Sequence, residues 1–163
     1  MKRIVSVLGK SGAIAPEVAA TAEAIGRGVA ERGYVLACGG RDGVMEAVCK
    51  GAKQAGGLTV GVLPGYDTGD ANQWLDVALP TGLGYARNTC VAAAGEVAIA
   101  IDGSFGTLSE IAMARSLGKP VIGVGTWRTP EGDKRNLDLH YAADADEALA
   151  LLDNLMNGKE IER

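Results

Sequence analysis

Short apolar runs alternate with longer helical stretches along the chain, and this alternation restricts the fold more than any other feature of the sequence. Several runs are apolar throughout, which is typical of strands buried on both faces of a parallel sheet. The predicted strands cover residues 4–8, 34–38, 58–63, 75–79, 97–101 and 121–124, and the predicted helices cover residues 16–31, 43–55, 84–94, 107–117 and 144–156. Repeated strand–helix units predict a Rossmann-like, doubly wound α/β fold, in which a mainly parallel sheet lies between two layers of helices.

The length of 163 residues predicts a single domain, which we expect to span residues 1–163. No linker, internal repeat or low-complexity segment interrupts the pattern. Two long loops, at 64–73 and 125–139, are left between the predicted elements. Loops of this length in a compact domain are typical of lids or interface elements.

Charge and cysteine content narrow the classes of function. Sixteen basic and twenty acidic side chains give a net charge of −4, which argues against nucleic-acid binding. The apolar stretches are shorter than a membrane-spanning helix requires, and the N-terminus reads as a strand rather than a signal peptide. Three unpatterned cysteines fit reduced thiols. We therefore expect a cytoplasmic protein without a membrane partner.

Glycine-rich loops follow four of the predicted strands; they read GKSGAIAP, CGGRDGV, PTGLGYARN and DGSFGTLSE. In open α/β sheets, ligands bind beyond the carboxyl ends of the strands, and helix N-termini there bind phosphate well. We therefore expect a pocket for a phosphorylated small molecule, with Gly9, Ser11, Gly39 and Gly40 among its contacts. The alternative is a set of tight turns that need glycine. The loops contain neither the six-residue Gly-x-Gly-x-x-Gly fingerprint nor a Gly-Lys-Ser/Thr phosphate loop.

Three stretches resemble the motifs of one family. DGSFGTLSE, at 102–110, is similar to the Pro-Gly-Gly-x-Gly-Thr-x-x-Glu signature of the Lonely Guy family, long labelled as possible lysine decarboxylases. GGRDGVMEAVCKGAKQAGG resembles that family's Gly-Gly turn before a helix, and GYARN resembles the site of its catalytic arginine. The match runs in register over residues 3–124, most of the chain.

The resemblance implies specific roles for residues in these motifs. The characterised enzymes are phosphoribohydrolases that release a base from a nucleoside 5′-monophosphate, and Arg87 and Glu110 would be the catalytic candidates. A carboxylate suits an oxocarbenium-like transition state, and an arginine suits a phosphate or a leaving base. The phosphate itself would be held by the signature loop, through Gly103, Ser104, Gly106 and Thr107.

Three departures from the hydrolase motifs point to a sister branch. Asp102 stands in place of the signature's proline, Ser104 in place of its second glycine, and Asn88 in place of the lysine after the arginine. These variants look more like the branch that includes the molybdenum cofactor carrier proteins, whose members bind a phosphorylated pterin or a similar ligand. The wider superfamily includes the DNA-processing A proteins, whose basic character this chain lacks.

Several of these residues also have a structural interpretation. Thr107-Leu108-Ser109-Glu110 matches a capping box, in which Glu110 would reach back to its own backbone rather than face a ligand. Arg87 would alternatively be a solvated helix residue. Asp102 would bind a ribose hydroxyl or a pterin amine, or cap the turn, and its charge beside the phosphate loop would repel phosphate. Lys10 would contact phosphate or remain solvated.

Other residues have both a functional and a packing interpretation. Trp74 and Trp127 flank the long loops and either stack on a planar ring or fill the core or an interface. Cys38 is better explained as a buried apolar residue than as a nucleophile. His140 is the only histidine, which argues against a zinc site.

Glycines within the first predicted helix suggest a close neighbour. Gly26 and Gly28 would weaken that helix unless another helix or a second subunit packs tightly against it. Family members are dimers or tetramers, so the resemblance also implies a homodimer or homotetramer.

The sequence leaves two main hypotheses for function. The first is a binding or carrier protein for a phosphorylated, planar-ring small molecule, such as a nucleotide or molybdopterin. The second is a nucleoside 5′-monophosphate phosphoribohydrolase. The departures at Asn88, Asp102 and Ser104 favour the first hypothesis, whereas the retained Arg87 and Glu110 keep the second open. A structural oligomer with vestigial loops is a weaker alternative, because the glycine-rich loops would then have no purpose.

Overall fold

The computed structural model describes residues 1–130, 133 and 136–158. The strands in these residues are β1 (Ile4–Gly9), β2 (Val35–Cys38), β3 (Thr59–Leu63), β4 (Val77–Pro80), β5 (Val97–Ile101), β6 (Val121–Val124) and β7 (His140–Ala142). The α-helices are α1 (Pro16–Glu31), α2 (Val44–Gln54), α3 (Asn88–Ala94), α4 (Phe105–Ser116) and α5 (Ala145–Met156), and a short 3₁₀ turn, Gly84–Arg87, leads directly into α3.

All seven strands pair in parallel, in the order β4-β3-β2-β1-β5-β6-β7. One face of the sheet packs against α1, α2 and α5, and the other packs against α3 and α4. The predicted Rossmann-like doubly wound fold is therefore confirmed, and its sheet is entirely parallel in the described residues. None of the helices in those residues is long and apolar enough to cross a membrane.

The predicted elements are present with small shifts at their ends. All six predicted strands occur within two residues of their predicted limits, and α1 has the predicted limits. The predicted helix 84–94 divides into the 3₁₀ turn and α3, and α4 begins two residues earlier than predicted. β7 was not predicted, because three residues are too few to show a pattern. Part of the predicted loop at 125–139, residues 131–132 and 134–135, lies outside the described residues.

The strand order places a topological switch point between β1 and β5. The chain runs outward from β1 to β4, then returns to β5 on the other side of β1 and continues outward to β7. Gly9 at the end of β1 is level with Ile101 at the end of β5. The loops that follow these two strands therefore diverge to opposite faces of the sheet and leave a crevice, where ligands bind in open α/β sheets.

The glycines of α1 allow close contact with other helices of the same chain. A Cβ added at Gly26 would lie 2.0 Å from the carbonyl oxygen of Val48 in α2. In return, a Cβ at Gly51 of α2 would lie 2.0 Å from the carbonyl oxygen of Glu23 in α1. The neighbouring helix thus explains Gly26 without a second subunit, and the oligomeric state stays a prediction that rests on the resemblance.

Replacing Gly26 with alanine should destabilise the fold. In an exposed helix this change would add about 1 kcal/mol of stability, but here the new methyl group meets backbone that cannot rotate away. We expect the free energy of unfolding to fall by about 1–3 kcal/mol, the usual cost of overpacking. Chemical denaturation measures this difference. Gly28→Ala in the same helix is the control, because its Cβ meets only the side chain of Leu149, which can change rotamer. If Gly26→Ala loses no more free energy of unfolding than Gly28→Ala does, the close packing of α1 on α2 is contradicted.

Candidate functional site

A cavity of about 720 Å³ opens at the switch point of the sheet. Its walls come from the loops after β1 and β2, the start of α2, the 3₁₀ turn with the start of α3, and the first three turns of α4. The cavity brings together seven of the predicted site residues: Gly9, Ser11, Arg87, Ser104, Gly106, Thr107 and Glu110. Three of the four predicted ligand loops therefore supply predicted residues to one cavity, although their contacts with a ligand stay a prediction.

Arg87 and Glu110 are both buried in the cavity wall, where Arg87 donates a hydrogen bond to Glu110. The Nη1 atom of Arg87 lies 3.2 Å from Oε1 of Glu110, and the two side chains are 10% and 6% exposed. Arg87 comes from the end of the 3₁₀ turn, and Glu110 comes from the second turn of α4. The alternative in which Arg87 is only a solvated helix residue is wrong, because the residue is buried and donates a hydrogen bond to Glu110.

The guanidinium of Arg87 has an unused donor. Its Nε atom is buried, and no hydrogen-bond partner for it exists among the described residues. Leaving a buried donor of a charged group unpaired costs more than the roughly 1–3 kcal/mol typical of a neutral group. Arg87 also lines the cavity, so its positive charge lies close to any anion bound there, although Nε itself is closed off from solvent.

Asn88 links the arginine to α4. Its Oδ1 accepts a hydrogen bond of 2.6 Å from Nη1 of Arg87, and its Nδ2 donates to Oγ of Ser109 at 2.9 Å. Ser109 in turn donates to the carbonyl oxygen of Gly106 at 2.7 Å. Asparagine suits this position because its amide both accepts from Arg87 and donates to Ser109. A lysine, which has no acceptor, could not make the first of these bonds.

The start of α4 shows that Glu110 does not cap its helix. The helix begins at Phe105 with Ser104 as the N-cap residue, so Thr107 lies at the third helical position. The backbone N–H of Ser104 donates to Oγ1 of Thr107 at 3.2 Å, which is the capping role that the sequence assigned to Glu110. Thr107 thus supplies this half of a capping box with Ser104. The carboxylate of Glu110 is thus left to face Arg87 in the cavity.

Burial changes the protonation of Glu110. Loss of solvent raises the pKa of its carboxyl to about 8, although the nearby charge of Arg87 acts in the opposite direction. The carboxyl is therefore largely protonated at neutral pH. A neutral carboxyl is a hydrogen-bonding group rather than a stabiliser of positive charge.

Gly39 and Gly40 lie outside the cavity wall and have packing roles. A Cβ on Gly39 would come within 2.8 Å of Nη2 of Arg87, so this glycine provides the flat surface on which the guanidinium lies. Gly40 has a φ of +76° and approaches Gly61 of β3 closely. The preceding Cys38 is fully buried in the core, as predicted, and its Sγ lies 3.6 Å from Sγ of Cys49.

Asp102 and Gly103 line a smaller cavity of about 240 Å³ beside the main one, together with Trp127. Asp102 has a φ of +53°, and its Oδ2 lies 3.3 Å from Nζ of Lys10. Lys10 belongs to the main cavity, so its ammonium offsets the charge of Asp102 next to that cavity. The expected repulsion of phosphate by Asp102 is reduced accordingly, though both side chains are about one-third exposed and solvent screens the pair.

The tryptophans do not line the main cavity. Trp74 packs against the core between the sheet and α2, and Trp127 supports the start of α4, where its Nε1 donates to the carbonyl oxygen of Ser104 at 3.0 Å. The aromatic side chains on the cavity are instead Tyr85 and Phe105. Sequence reasoning missed these two because nothing separated them from other surface aromatics, although each is a neighbour of a predicted motif residue.

Positive charge predominates on the cavity wall. Lys10, Arg41 and Arg87 line it, whereas Glu110 is its only acidic residue in the described part of the chain. Arg41 was not predicted, although it follows the Gly-Gly pair directly. An acidic protein with a cationic cavity is suited to an anionic ligand. Within residues 1–130, 133 and 136–158, no three histidine, cysteine or acidic side chains converge as metal ligands would.

The fold and the cavity together define a Rossmann-like α/β protein with a ligand cavity at its switch point. The chain belongs to the SLOG cluster4 family, whose sequence profile matches residues 2–149. An uncharacterized protein of Archaeoglobus fulgidus is 40% identical over 116 residues, which cover 66% of this chain and 76% of that protein.

Solved structures with the same architecture include molybdenum cofactor carriers. The molybdenum cofactor binding protein of Rippkaea orientalis is 34% identical and superimposes with a TM-score of 0.88, covering 96% of this chain and 98% of that one. The Moco carrier protein of Chlamydomonas reinhardtii is 37% identical, with a TM-score of 0.85 and coverage of 97% and 99%. The resemblance to this branch is confirmed. DNA processing protein A of Streptococcus pneumoniae, at 20% identity and a TM-score of 0.68 over 91% of this chain and 61% of that one, shares the fold alone.

Glu110 should make the stability of the fold depend on pH. The unfolded chain ionises this group near its ordinary pKa of about 4.3, while the folded protein keeps the proton up to about pH 8. Between these values the unfolded state binds fewer protons, so stability falls as pH rises, by up to about 1.4 kcal/mol per pH unit. Glu110→Gln removes this contribution, so the variant should gain stability relative to the wild type between pH 5 and pH 8 in chemical denaturation.

The matched control is Glu96→Gln. Glu96 is exposed, and its hydrogen-bonded partner Arg3 lowers the pKa of its carboxyl, so it is ionised in both states above pH 6. The free energy of unfolding of Glu96→Gln should change with pH as that of the wild type does, from pH 6 to pH 8. Parallel profiles for wild type and Glu110→Gln would show that Glu110 is ionised in the folded protein.

Proposed function

We propose that the protein binds or carries a phosphorylated small molecule with a planar ring, of nucleotide or molybdopterin type. The anion would lie between Arg87 and the N-terminus of α4, where helix N–H groups and the helix dipole favour negative charge. The observation that carries this proposal is the cationic lining of the cavity, to which Lys10, Arg41 and the buried Arg87 all contribute.

The size and charge of the cavity support the proposal. A volume of about 720 Å³ lies within the usual range of small-molecule sites, about 300–1,000 Å³. Three cationic side chains against one carboxyl suit a ligand with a phosphate. Two solved relatives that this chain matches over almost its full length are described as molybdenum cofactor binding or carrier proteins.

The contact of Glu110 with Arg87 favours binding over turnover. A phosphoribohydrolase needs a carboxyl that is free to act on the sugar or on the leaving base. Here burial raises the pKa of the Glu110 carboxyl to about 8, and its Oε1 is already engaged by Arg87. The hydrolase remains the second candidate because both residues line the same cavity.

Turnover of AMP separates the two candidates. The protein is incubated with AMP, and adenine and ribose 5-phosphate are measured by chromatography, in parallel with Glu110→Gln. A carrier releases neither product, while AMP, GMP or molybdopterin raises its melting temperature. Release at enzyme-like rates that is abolished in Glu110→Gln would identify a hydrolase.

Loss of Arg87 should weaken binding of the anion. Arg87→Gln removes the charge of the guanidinium, so we expect the affinity for AMP in isothermal titration to fall about 10- to 100-fold, as for the loss of a roughly 1.5–3 kcal/mol charged hydrogen bond. Arg41→Gln is the control, because Arg41 lines the same cavity but is 41% exposed and lies 3.8 Å from Asp70. Arg41→Gln should therefore reduce the affinity for AMP severalfold less than Arg87→Gln does. Equal effects of the two substitutions would mean that general positive charge, and not the buried guanidinium, holds the anion.

A further inference from the structure

Two large aromatic side chains on the cavity wall are almost fully exposed. Tyr85 is 89% exposed and Phe105 is 81% exposed, and both line the main cavity. Tyr85 precedes Arg87 by two residues in the 3₁₀ turn, and Phe105 is the first residue of α4. Exposed aromatic surface beside a polar site is a usual mark of ligand contact.

Phe105 is held in position by its neighbours. Its ring lies 5.6 Å from the ring of Trp127, with an angle of 37° between the two planes. Trp127 is itself fixed by its hydrogen bond to the carbonyl oxygen of Ser104, and its own carbonyl accepts from the hydroxyl of Tyr141 at 3.0 Å. The contact with Trp127 restricts the side chain of Phe105, so stacking of a ligand on it costs less ordering than stacking on a side chain without such a neighbour.

We propose that Phe105 and Tyr85 bind the planar ring of the ligand by stacking. The proposal rests on the proposed function, because it requires an anion anchored at Arg87. Met45 and Met113 also line the cavity and supply polarizable surface suited to the ring. The aromatic residues thus determine specificity for the ring, whereas the cations bind the phosphate.

The position of the two rings favours a small-molecule ring over a second copy of the chain. Both lie on the wall that also carries Arg41 and Arg87, so a flat apolar surface of a partner protein would bury these cations without counterions. A ring attached to a phosphate satisfies the cations and covers the aromatic surface at the same time. Tyr66 is 91% exposed but lies outside the cavity, so it provides a matched control.

The experiment compares two probes on the same proteins. GMP carries the 2-amino-4-oxopyrimidine unit that pterins share, and ribose 5-phosphate carries the phosphate without a ring. Dissociation constants are measured by isothermal titration for wild type, Phe105→Ala, Tyr85→Ala and Tyr66→Ala. We expect wild type to bind GMP more tightly than ribose 5-phosphate. Phe105→Ala and Tyr85→Ala should each raise the dissociation constant for GMP roughly tenfold, the effect expected for loss of base–aromatic stacking. The dissociation constant for ribose 5-phosphate should not change. Tyr66→Ala should change neither constant.

Each other outcome has a distinct meaning. Equal wild-type affinity for GMP and ribose 5-phosphate would overturn ring binding and leave the anion site standing. Unchanged GMP binding in both cavity variants would also overturn ring binding, and so would an equal loss of affinity for both probes. If binding is unchanged but the variants lose oligomers in sedimentation, the two aromatic rings belong to a subunit interface. Absence of binding of both probes to wild type would remove the proposed function itself. Retained ribose 5-phosphate binding shows that a variant is folded.

Discussion

A buried arginine with more donors than partners organises the ligand cavity. Arg87 lies on Gly39, contacts Glu110 and Asn88, and keeps its Nε unpaired among the described residues. Burying a guanidinium is costly unless its charge and its N–H groups are matched. The chain itself compensates the guanidinium only in part, because burial raises the pKa of the Glu110 carboxyl and leaves this group largely neutral. The remaining positive charge is available to a ligand, and the proposed function depends on this imbalance.

The parallel sheet determines where this arginine can act. The crevice between β1 and β5 is a consequence of the strand order, and the glycines that end β1 and β2 let α2 and Arg87 approach the strand ends. The N-terminus of α4 faces the same cavity, so main-chain amides and the guanidinium can bind one anion together. Retention of Arg87 and Glu110 is therefore compatible with binding alone.

Much of the fold could be predicted from sequence because apolar runs and helix signals are local patterns. The six longer strands and α1 follow from them, whereas β7 is too short to carry a pattern. The cavity residues were harder to predict. The spacing from Thr107 to Glu110 satisfies a capping motif, and only the start of the helix at Phe105 shows that the cap lies three residues earlier. Burial of Arg87 and pairing of α1 with α2 at Gly26 depend on contacts between distant segments, which the sequence does not display.

The most direct test of the account is a crystal structure of the protein with AMP. We expect the phosphate to lie at the N-terminus of α4, in contact with the guanidinium of Arg87, and the side chain of Glu110 to contact that guanidinium as well. A phosphate bound elsewhere on the protein, with no contact to Arg87, would contradict the proposed function.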